Sequence, residues 1–399
     1  MFRISQFMKE LVSPTPIGVK RNPPGPVVIW NLVRRCNLNC KHCYALSTDT
    51  DFPGELNTDE VFTVMNDLKD FRVPVLILSG GEPLLRPDIF EISHRAKNME
   101  FYTALSTNGT LIDESNIDQI AAVGYDYVGI SLDGIGATHD AFRRKQGAYA
   151  ASLKGARLCK ERDIKVGLRF TMTMDNAYEL PALLQLMEDE GIDKFYLSHL
   201  NYAGRGNTNR IDDARSEITR RAMDLLFQTA LKDAHDGRER DIVTGNNDAD
   251  GVYLLHWVRQ HYPEQANHMQ GKLEQWGGNA SGVNVANIDN LGNVHPDTMW
   301  WHYDLGNVKD RPFGEIWVDT SDPIMAGLKQ HPRKVGGRCG ACEHFAICNG
   351  NTRVRALQVT EDPWAEDPAC YLNDAEMGID ERTVRVETTP YRSKQHAVA

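Results

Sequence analysis

Arg35-Cys36-Asn37-Leu38-Asn39-Cys40-Lys41-His42-Cys43-Tyr44 is the stretch on which the reading of this chain turns. Its three cysteines follow a C-x3-C-x2-C spacing, short enough for a single loop. Three thiolates there can hold three irons of a cubic 4Fe–4S cluster, because soft sulfur is the ligand type such clusters use. The fourth iron is then left without a protein ligand. An electron-transfer cluster takes four cysteines, so a missing fourth points to an open iron where a small molecule binds. His42, an aromatic side chain just before the third cysteine, fits that picture. A zinc knuckle would need a fourth nearby Cys or His, and His42, inside the loop, is a poor candidate for it.

Outward from that loop, the chain alternates strand-like and helix-like runs. The strand candidates are residues 27–33, 73–79, 101–106, 127–132, 165–173 and 194–200. Between them fall helix-like runs at 58–71, 87–97, 114–123, 148–162 and 177–190. Thr58, ahead of Asp59-Glu60, reads as an N-cap with acids in the first turn. Six βα units in about 200 residues predict an α/β fold with a parallel sheet, open or curved into a partial (β/α)6 TIM-like barrel. Active residues then belong at the C-terminal ends of the strands. The cysteine loop leaves the first strand, Gly80-Gly81-Glu82 the second, Asn108-Gly109 the third and Asp133-Gly134 the fourth.

Composition sets the frame. The chain has 399 residues, a hydrophobic fraction of 41% and a charged fraction of 25%, ordinary for a soluble globular protein. A net charge of −11 argues against general nucleic-acid binding. No apolar run reaches ~18 residues, so no membrane span is expected. Residues 1–21 lack a signal-peptide core. Eight cysteines grouped three and four, with Cys159 alone between them, read as metal sites in a reducing cytoplasm. Cys159, in a helical pattern, reads as a buried thiol without a role. The expected organisation is a lead at 1–26, the partial barrel at 27–211, a helical connecting segment at 212–275, a C-terminal metal domain at 276–380 and a polar tail at 381–399. Within the fourth of these, 283–288 and 293–295 flank a hairpin turn at Asp289-Asn290-Leu291-Gly292.

Cys339, Cys342, Cys348 and Cys370 form the second group. Four thiolates can fully ligate one 4Fe–4S cluster or one zinc. Near the first group, the glycines of Gly80-Gly81-Glu82-Pro83 let the backbone approach a ligand closely, and the Glu82 carboxylate can accept from an ammonium group. Asn108-Gly109 and Asp133-Gly134 also make ordinary turns. Arg169 is either an anion-binding cation or a surface charge.

The cysteine loop, together with Gly80-Gly81-Glu82-Pro83 one βα unit later, resembles the signature of the radical S-adenosylmethionine (SAM) enzymes. In that superfamily the open iron chelates SAM, and one electron splits it into methionine and a 5′-deoxyadenosyl radical. The resemblance implies that Gly80, Gly81 and Glu82 bind the methionine amino group. It implies that Asn108, Ser131 and Asp133 line the ribose and carboxylate, with Arg169 also near the carboxylate. The second cysteine group resembles the C-terminal extension called SPASM, which implies iron–sulfur chemistry. The full pattern has seven cysteines. Here Asn349-Gly350-Asn351-Thr352 stands where one would follow Cys348, and His295-Pro296 stands where a Pro-Cys is often found. One auxiliary cluster is therefore expected, giving two 4Fe–4S clusters in all.

The run Tyr196-Leu197-Ser198-His199-Leu200-Asn201-Tyr202-Ala203-Gly204-Arg205-Gly206 and the four-cysteine tail are similar to the tetrapyrrole-modifying branch, and within it to the haem d1 biosynthesis enzymes of denitrifying bacteria. That implies an iron tetrapyrrole substrate of the didecarboxysirohaem type, action on its propionates, and a low-potential flavodoxin- or ferredoxin-like electron donor. Arg34, Arg35, Lys41, Arg143, Arg144, Lys145, Arg205 and Arg210 are candidate partners for substrate carboxylates. Trp300, Trp301 and Tyr303 could stack on the ring, and His199 or His295 could ligate its iron. Three rivals remain: an iron-coproporphyrin decarboxylase of haem biosynthesis, a peptide-modifying SPASM enzyme, and a non-catalytic iron–sulfur carrier. Many peptide modifiers carry an N-terminal recognition domain, and the 35 residues ahead of Cys36 are too few for one.

Overall fold

The computed structural model describes residues 1–18 and 23–379, so the expected tail at 381–399 lies outside the described residues. Its strands are β1 (Phe2–Arg3), β2 (Val27–Asn31), β3 (Val75–Ser79), β4 (Tyr102–Thr107), β5 (Tyr127–Ser131), β6 (Val166–Met172), β7 (Lys194–His199), β8 (Asp241–Gly245), β9 (Val285–Ile288), β10 (Asn293–His295) and β11 (Gly306–Asn307). All join one sheet in the order β1-β8-β7-β6-β5-β4-β3-β2-β9-β10-β11. The six expected strands are β2 to β7. Each is parallel to the next, with a helix between. Every strand exit therefore faces the same end of the sheet.

Local sequence accounts for these elements. The helix Thr58–Asp70 is capped by Asn57, not by the expected Thr58. Asn57 accepts from the Glu60 N–H, and the Glu60 carboxylate accepts in return from the Asn57 N–H, a reciprocal capping box. Thr58 instead donates to Asp88 at 2.6 Å. Leu76 and Leu78 alternate with Ile77 on β3, and Trp30, Phe170 and Phe195 are fully buried. Such side chains contribute about 1.5–3 kcal/mol each on burial. Cys159, fully buried in the helix Ala148–Lys160, belongs to this core.

The opposite face of the strands lines the inside of the curve. Strand pairing places Ser106, Gly129 and Gly167 in one row, and Ser131, Arg169 and Tyr196 in another. Glycine leaves room for tyrosine hydroxyls here and on β8: a Cβ on Gly129 would fall 2.2 Å from the Tyr127 hydroxyl, and one on Gly245 would fall 2.3 Å from that of Tyr196.

The stretch 212–275, expected to be helical, holds Ser216–His235, Ala249–His261 and all but the last residue of Ala266–Trp276, but also β8. β8 extends the parallel sheet beyond β7 and pairs with β1 from the N-terminal lead. The expected hairpin forms from β9 and β10. β9 then pairs in parallel with β2, so the C-terminal region continues the same sheet. Trp300, Ile324, Leu328 and Val354 make a separate apolar cluster there.

Candidate active site

The cysteine loop leaves β2 and is pinned from four sides. Cys36 N donates to Thr48 O at 3.0 Å, and Lys41 N donates to Phe142 O at 3.1 Å. Arg205 Nε donates to Cys40 O at 2.7 Å, and Asn209 Nδ2 donates to Lys41 O at 2.7 Å. Cys36 and Cys40 are buried, and Cys43 is half-buried. Burial, then Glu82, Cys40 and Cys43, pushes the Cys36 thiol up to about 12. The three expected ligands therefore sit within one another's electrostatic reach.

Gly80 and Gly81 are packed against this loop. A Cβ on Gly80 would meet Val33 O at 2.4 Å, and one on Gly81 would meet Arg34 O and Arg35 O at 2.3 Å. Gly81 N donates to Val33 O at 2.6 Å, and Glu82 N donates to Arg35 O at 2.9 Å. The close approach expected of these glycines toward a ligand is thus made to the cysteine loop itself. Glu82 is fully buried. Its carboxylate accepts from Leu84 N at 3.1 Å, Thr107 Oγ1 at 2.7 Å and Asn108 N at 2.8 Å. Burial outweighs those bonds and raises its pKa to about 7. Asn108 in turn donates to Asn37 at 2.8 Å and approaches Cys36 Sγ at 3.8 Å.

Asp133 is also fully buried. One oxygen accepts from Thr171 N at 2.7 Å, and the other pairs with the Arg143 guanidinium. Arg143 Nη1 donates to Cys40 Sγ at 3.4 Å. Ser131 is half-buried at the end of β5 and faces inward beside Arg169. Arg169 donates to Ser106 and lies over the Tyr196 ring at 5.4 Å. His42 packs on Phe142, with ring centroids 4.9 Å apart, and burial holds it neutral, well below the usual histidine range.

Sequence reasoning flagged Arg143 only as a cation near the mouth. The signal was its spacing from His139 on the helix Ala137–Arg143, an i, i+4 pair on one face. His139 Nδ1 accepts from Asp133 N at 2.9 Å while Arg143 takes the Asp133 carboxylate. The other expected carboxylate-binding cations are mostly engaged within the chain. Arg34 donates to Ala45 O, Arg35 pairs with Asp49 and Asp51, Lys41 pairs with Asp175, and Arg205 binds Cys40 O and Ser47 O. Lys145 reaches Asn37 O at 3.3 Å, Arg210 donates to Asn207, and Arg144 is exposed. Trp300 is in the core and Tyr303 donates to Asp322, whereas Trp301 stands edge-on to Tyr44, with centroids 5.9 Å apart. His199 is buried against Asp250 at 3.0 Å, and His295 is buried between Tyr303 O and Asp289.

In the second group Cys342, Cys348 and Cys370 lie within electrostatic reach of Cys339. Burial raises all four thiols. Cys342 and Cys370 are further raised by Cys339, and Cys348 by Asp248, Cys339 and Cys370. Asp367 N donates to Cys339 Sγ at 3.3 Å. Asn349 and Asn351, in the run that replaces a further cysteine, take left-handed backbone, and Asn351 binds Asn247 and Asp248 N across the boundary with the barrel. Among the described residues no three Cys, His, Asp or Glu side chains converge where one metal ion would fit. A cubane asks for something else, one thiolate per iron. Buried polar atoms without a hydrogen-bond partner among the described residues occur beside both groups: His42 Nδ1, Ser47 Oγ and Arg143 Nε near the first, and Arg353 Nε near the second. Such atoms suit a sulfur-rich anionic group, so the residues present fit a cluster at each place.

Residues 30–196 match the family model described as the Radical SAM superfamily. The chain is 56% identical over 398 residues to the Pre-heme d1 synthase of Dinoroseobacter shibae, covering 99% of this chain and 98% of that protein. The chain is a radical SAM enzyme. Radical SAM enzymes bind a 4Fe–4S cluster and SAM. This one is also 43% identical to the Fe-coproporphyrin III synthase of Methanosarcina barkeri, over 88% of this chain and 89% of that protein. Among solved structures its fold is similar to that of Streptococcus suis SuiB bound to S-adenosylmethionine. The TM-score is 0.67 at 17% identity, covering 88% of this chain and 78% of that one. That likeness of fold covers more of the chain than the family match does. No helix among the described residues is long and apolar enough to cross a membrane.

Proposed function

We propose that this radical SAM enzyme modifies or removes propionate side chains of a didecarboxysirohaem-type iron tetrapyrrole in haem d1 biosynthesis. The observation that carries this reading is the 56% identity to a Pre-heme d1 synthase over nearly the whole of both chains. We assign one cluster to Cys36, Cys40 and Cys43 and a second to Cys339, Cys342, Cys348 and Cys370. When bound, the first supplies the electron that splits SAM and yields the 5′-deoxyadenosyl radical.

A propionate C–H is unactivated, and no side-chain base removes it as a proton near neutral pH. A primary radical takes it as a hydrogen atom, and the protein's part is to orient the bond and keep out quenchers. Here Gly80–Gly81 would shape the loop at the SAM amino group, and Ser131 and Arg169, paired on neighbouring strands, would meet the SAM carboxylate and ribose. Glu82, Asn108 and Asp133 act from behind, holding the loops that carry those contacts. His42 packs beside the cluster loop. Trp301 and Tyr44, set edge to face, would offer apolar ring contact to a macrocycle. Four cysteines would hold a second cluster with no open iron, which would suit it to accept an electron from the substrate. A low-potential flavodoxin- or ferredoxin-like donor in the cytoplasm completes the scheme.

The 43% identity to an Fe-coproporphyrin III synthase favours a second reading among tetrapyrroles, an iron-coproporphyrin substrate. The deciding assay is anaerobic. Reconstituted enzyme, SAM, a low-potential reductant and didecarboxysirohaem are combined and followed by mass spectrometry. Substrate-dependent 5′-deoxyadenosine together with a tetrapyrrole altered at its propionates supports the haem d1 reading. SAM cleavage without change in that tetrapyrrole, but with change in iron-coproporphyrin, supports the second.

A further inference from the structure

We propose that Arg143 is a positioning residue that sets the charge at the first cluster: its guanidinium holds Cys40 and, with Asp133 behind it, fixes the cluster's reduction potential. The proposal rests on the assignment of a cluster to Cys36, Cys40 and Cys43.

Arg143 is 7% exposed, although Arg144 and Lys145 beside it are exposed. Its two terminal nitrogens are divided. Nη1 donates to Cys40 Sγ at 3.4 Å, and Nη2 pairs with Asp133. Nε has no hydrogen-bond partner among the described residues. Asp133 is anchored in turn by Thr171 N at 2.7 Å. The end of the helix is fixed as well, because Phe142 O accepts from Lys41 N inside the cysteine loop. The cation therefore cannot swing away without moving either the loop or β6.

A buried charge acts through a low dielectric and is poorly screened. Hydrogen bonds to ligand sulfurs and local net charge are the terms that set iron–sulfur potentials. One-electron reduction makes a cluster one unit more negative. A positive neighbour stabilises the reduced form and raises the potential, and a negative neighbour lowers it. Arg143 touches the ligand and Asp133 stands one step farther away, so the two oppose each other in a fixed order. The electron comes from the external low-potential reductant, and no bond forms or breaks at Arg143.

The test is an anaerobic redox titration of the holoenzyme followed by electron paramagnetic resonance. It reads the signal that changes when SAM is added, which belongs to the open-iron cluster. R143Q should lower the midpoint, D133N should raise it, and R143K should stay near the parent. At fixed poise we expect the reduced-to-oxidised ratio to move about tenfold, which is about 59 mV for one electron. A merely structural role would not move the two charge-removing variants in opposite directions. An unmoved midpoint in R143Q with full iron content, or a D133N midpoint that stays or falls, overturns the proposal. If R143Q takes up no iron, D133N decides alone, because it leaves Arg143 and all three cysteines in place. A parent enzyme with no SAM-responsive signal would instead refute the cluster assignment itself, and this inference with it.

Discussion

Glu82 takes three hydrogen bonds from its own chain and, among the described residues, forms no ion pair. Its pKa of about 7 against an ordinary 4.5 makes it a stability switch. The folded state holds the proton more tightly than the unfolded chain does. The stabilisation is therefore complete below about pH 4.5 and lost as pH rises through about 7. Fully expressed, this amounts to about 3 kcal/mol. Urea unfolding of the iron-free chain should show a midpoint that falls across that window, and Glu82→Gln should flatten the slope. An unchanged slope in the variant would place the titration elsewhere. The cysteines make a different prediction. Cys40→Ala should abolish SAM cleavage, whereas Cys342→Ala should leave part of it and impair product formation. Equal loss in both, read by 5′-deoxyadenosine release, would make the second group structural. The cysteines could be read from sequence because ligand chemistry is written in their identity and spacing. The directions of Glu82 and Asp133 could not. Both leave strand ends, and the partners that turn them inward, Thr107 with Asn108 and Arg143, lie 25 or more and ten residues away in the chain.

At the scale of elements, the loops are held by glycines that face backbone. Gly81→Ala would set a Cβ 2.3 Å from two carbonyl oxygens of the cysteine loop, and neither can rotate away. Gly204, at φ +53°, presents the same problem to Tyr44 O at 2.4 Å and Cys43 O at 2.5 Å. Each alanine variant should cost on the order of 3 kcal/mol and lower iron uptake on reconstitution. Thermal unfolding and iron content check this, and unchanged iron in both variants would mean that the loop adapts. The six βα units were legible because apolar strands and amphipathic helices alternate without interruption. β8 was not. Its run Asp241-Ile242-Val243-Thr244-Gly245 is short and lies between helices, and pairing with β7 on one side and β1 on the other makes it a strand. The N-cap at Asn57 was missed by one residue because Thr58 is also a good cap, and the reciprocal bond with Glu60 decides between them.

Across the whole molecule, the barrel and the C-terminal region meet through charges that are out of water. Arg355 and Asp367 are both fully buried and pair at 2.8 Å. Arg355 also donates to Leu200 O and Asn246 O on the barrel side, and Asp367 N reaches Cys339 Sγ. Asp367→Ala would leave a buried guanidinium uncompensated and should destabilise by about 3–5 kcal/mol. Calorimetry should show a lowered transition, with loss of iron from the second group before the first. Simultaneous loss would mean that the two regions unfold as one unit.

The parallel pairing of β9 with β2 has a practical consequence for any shortened form of this chain. β2 reads Val27-Val28-Ile29-Trp30-Asn31, an apolar β-branched run that is covered on one side by β3 and on the other by β9. A chain stopped ahead of Val285 keeps every residue of the SAM-proximal half but uncovers a row of unpaired N–H and C=O groups along that run. Such an edge is a template for other chains. The shortened protein should therefore collect in the insoluble fraction, even though the site it was cut to retain is intact.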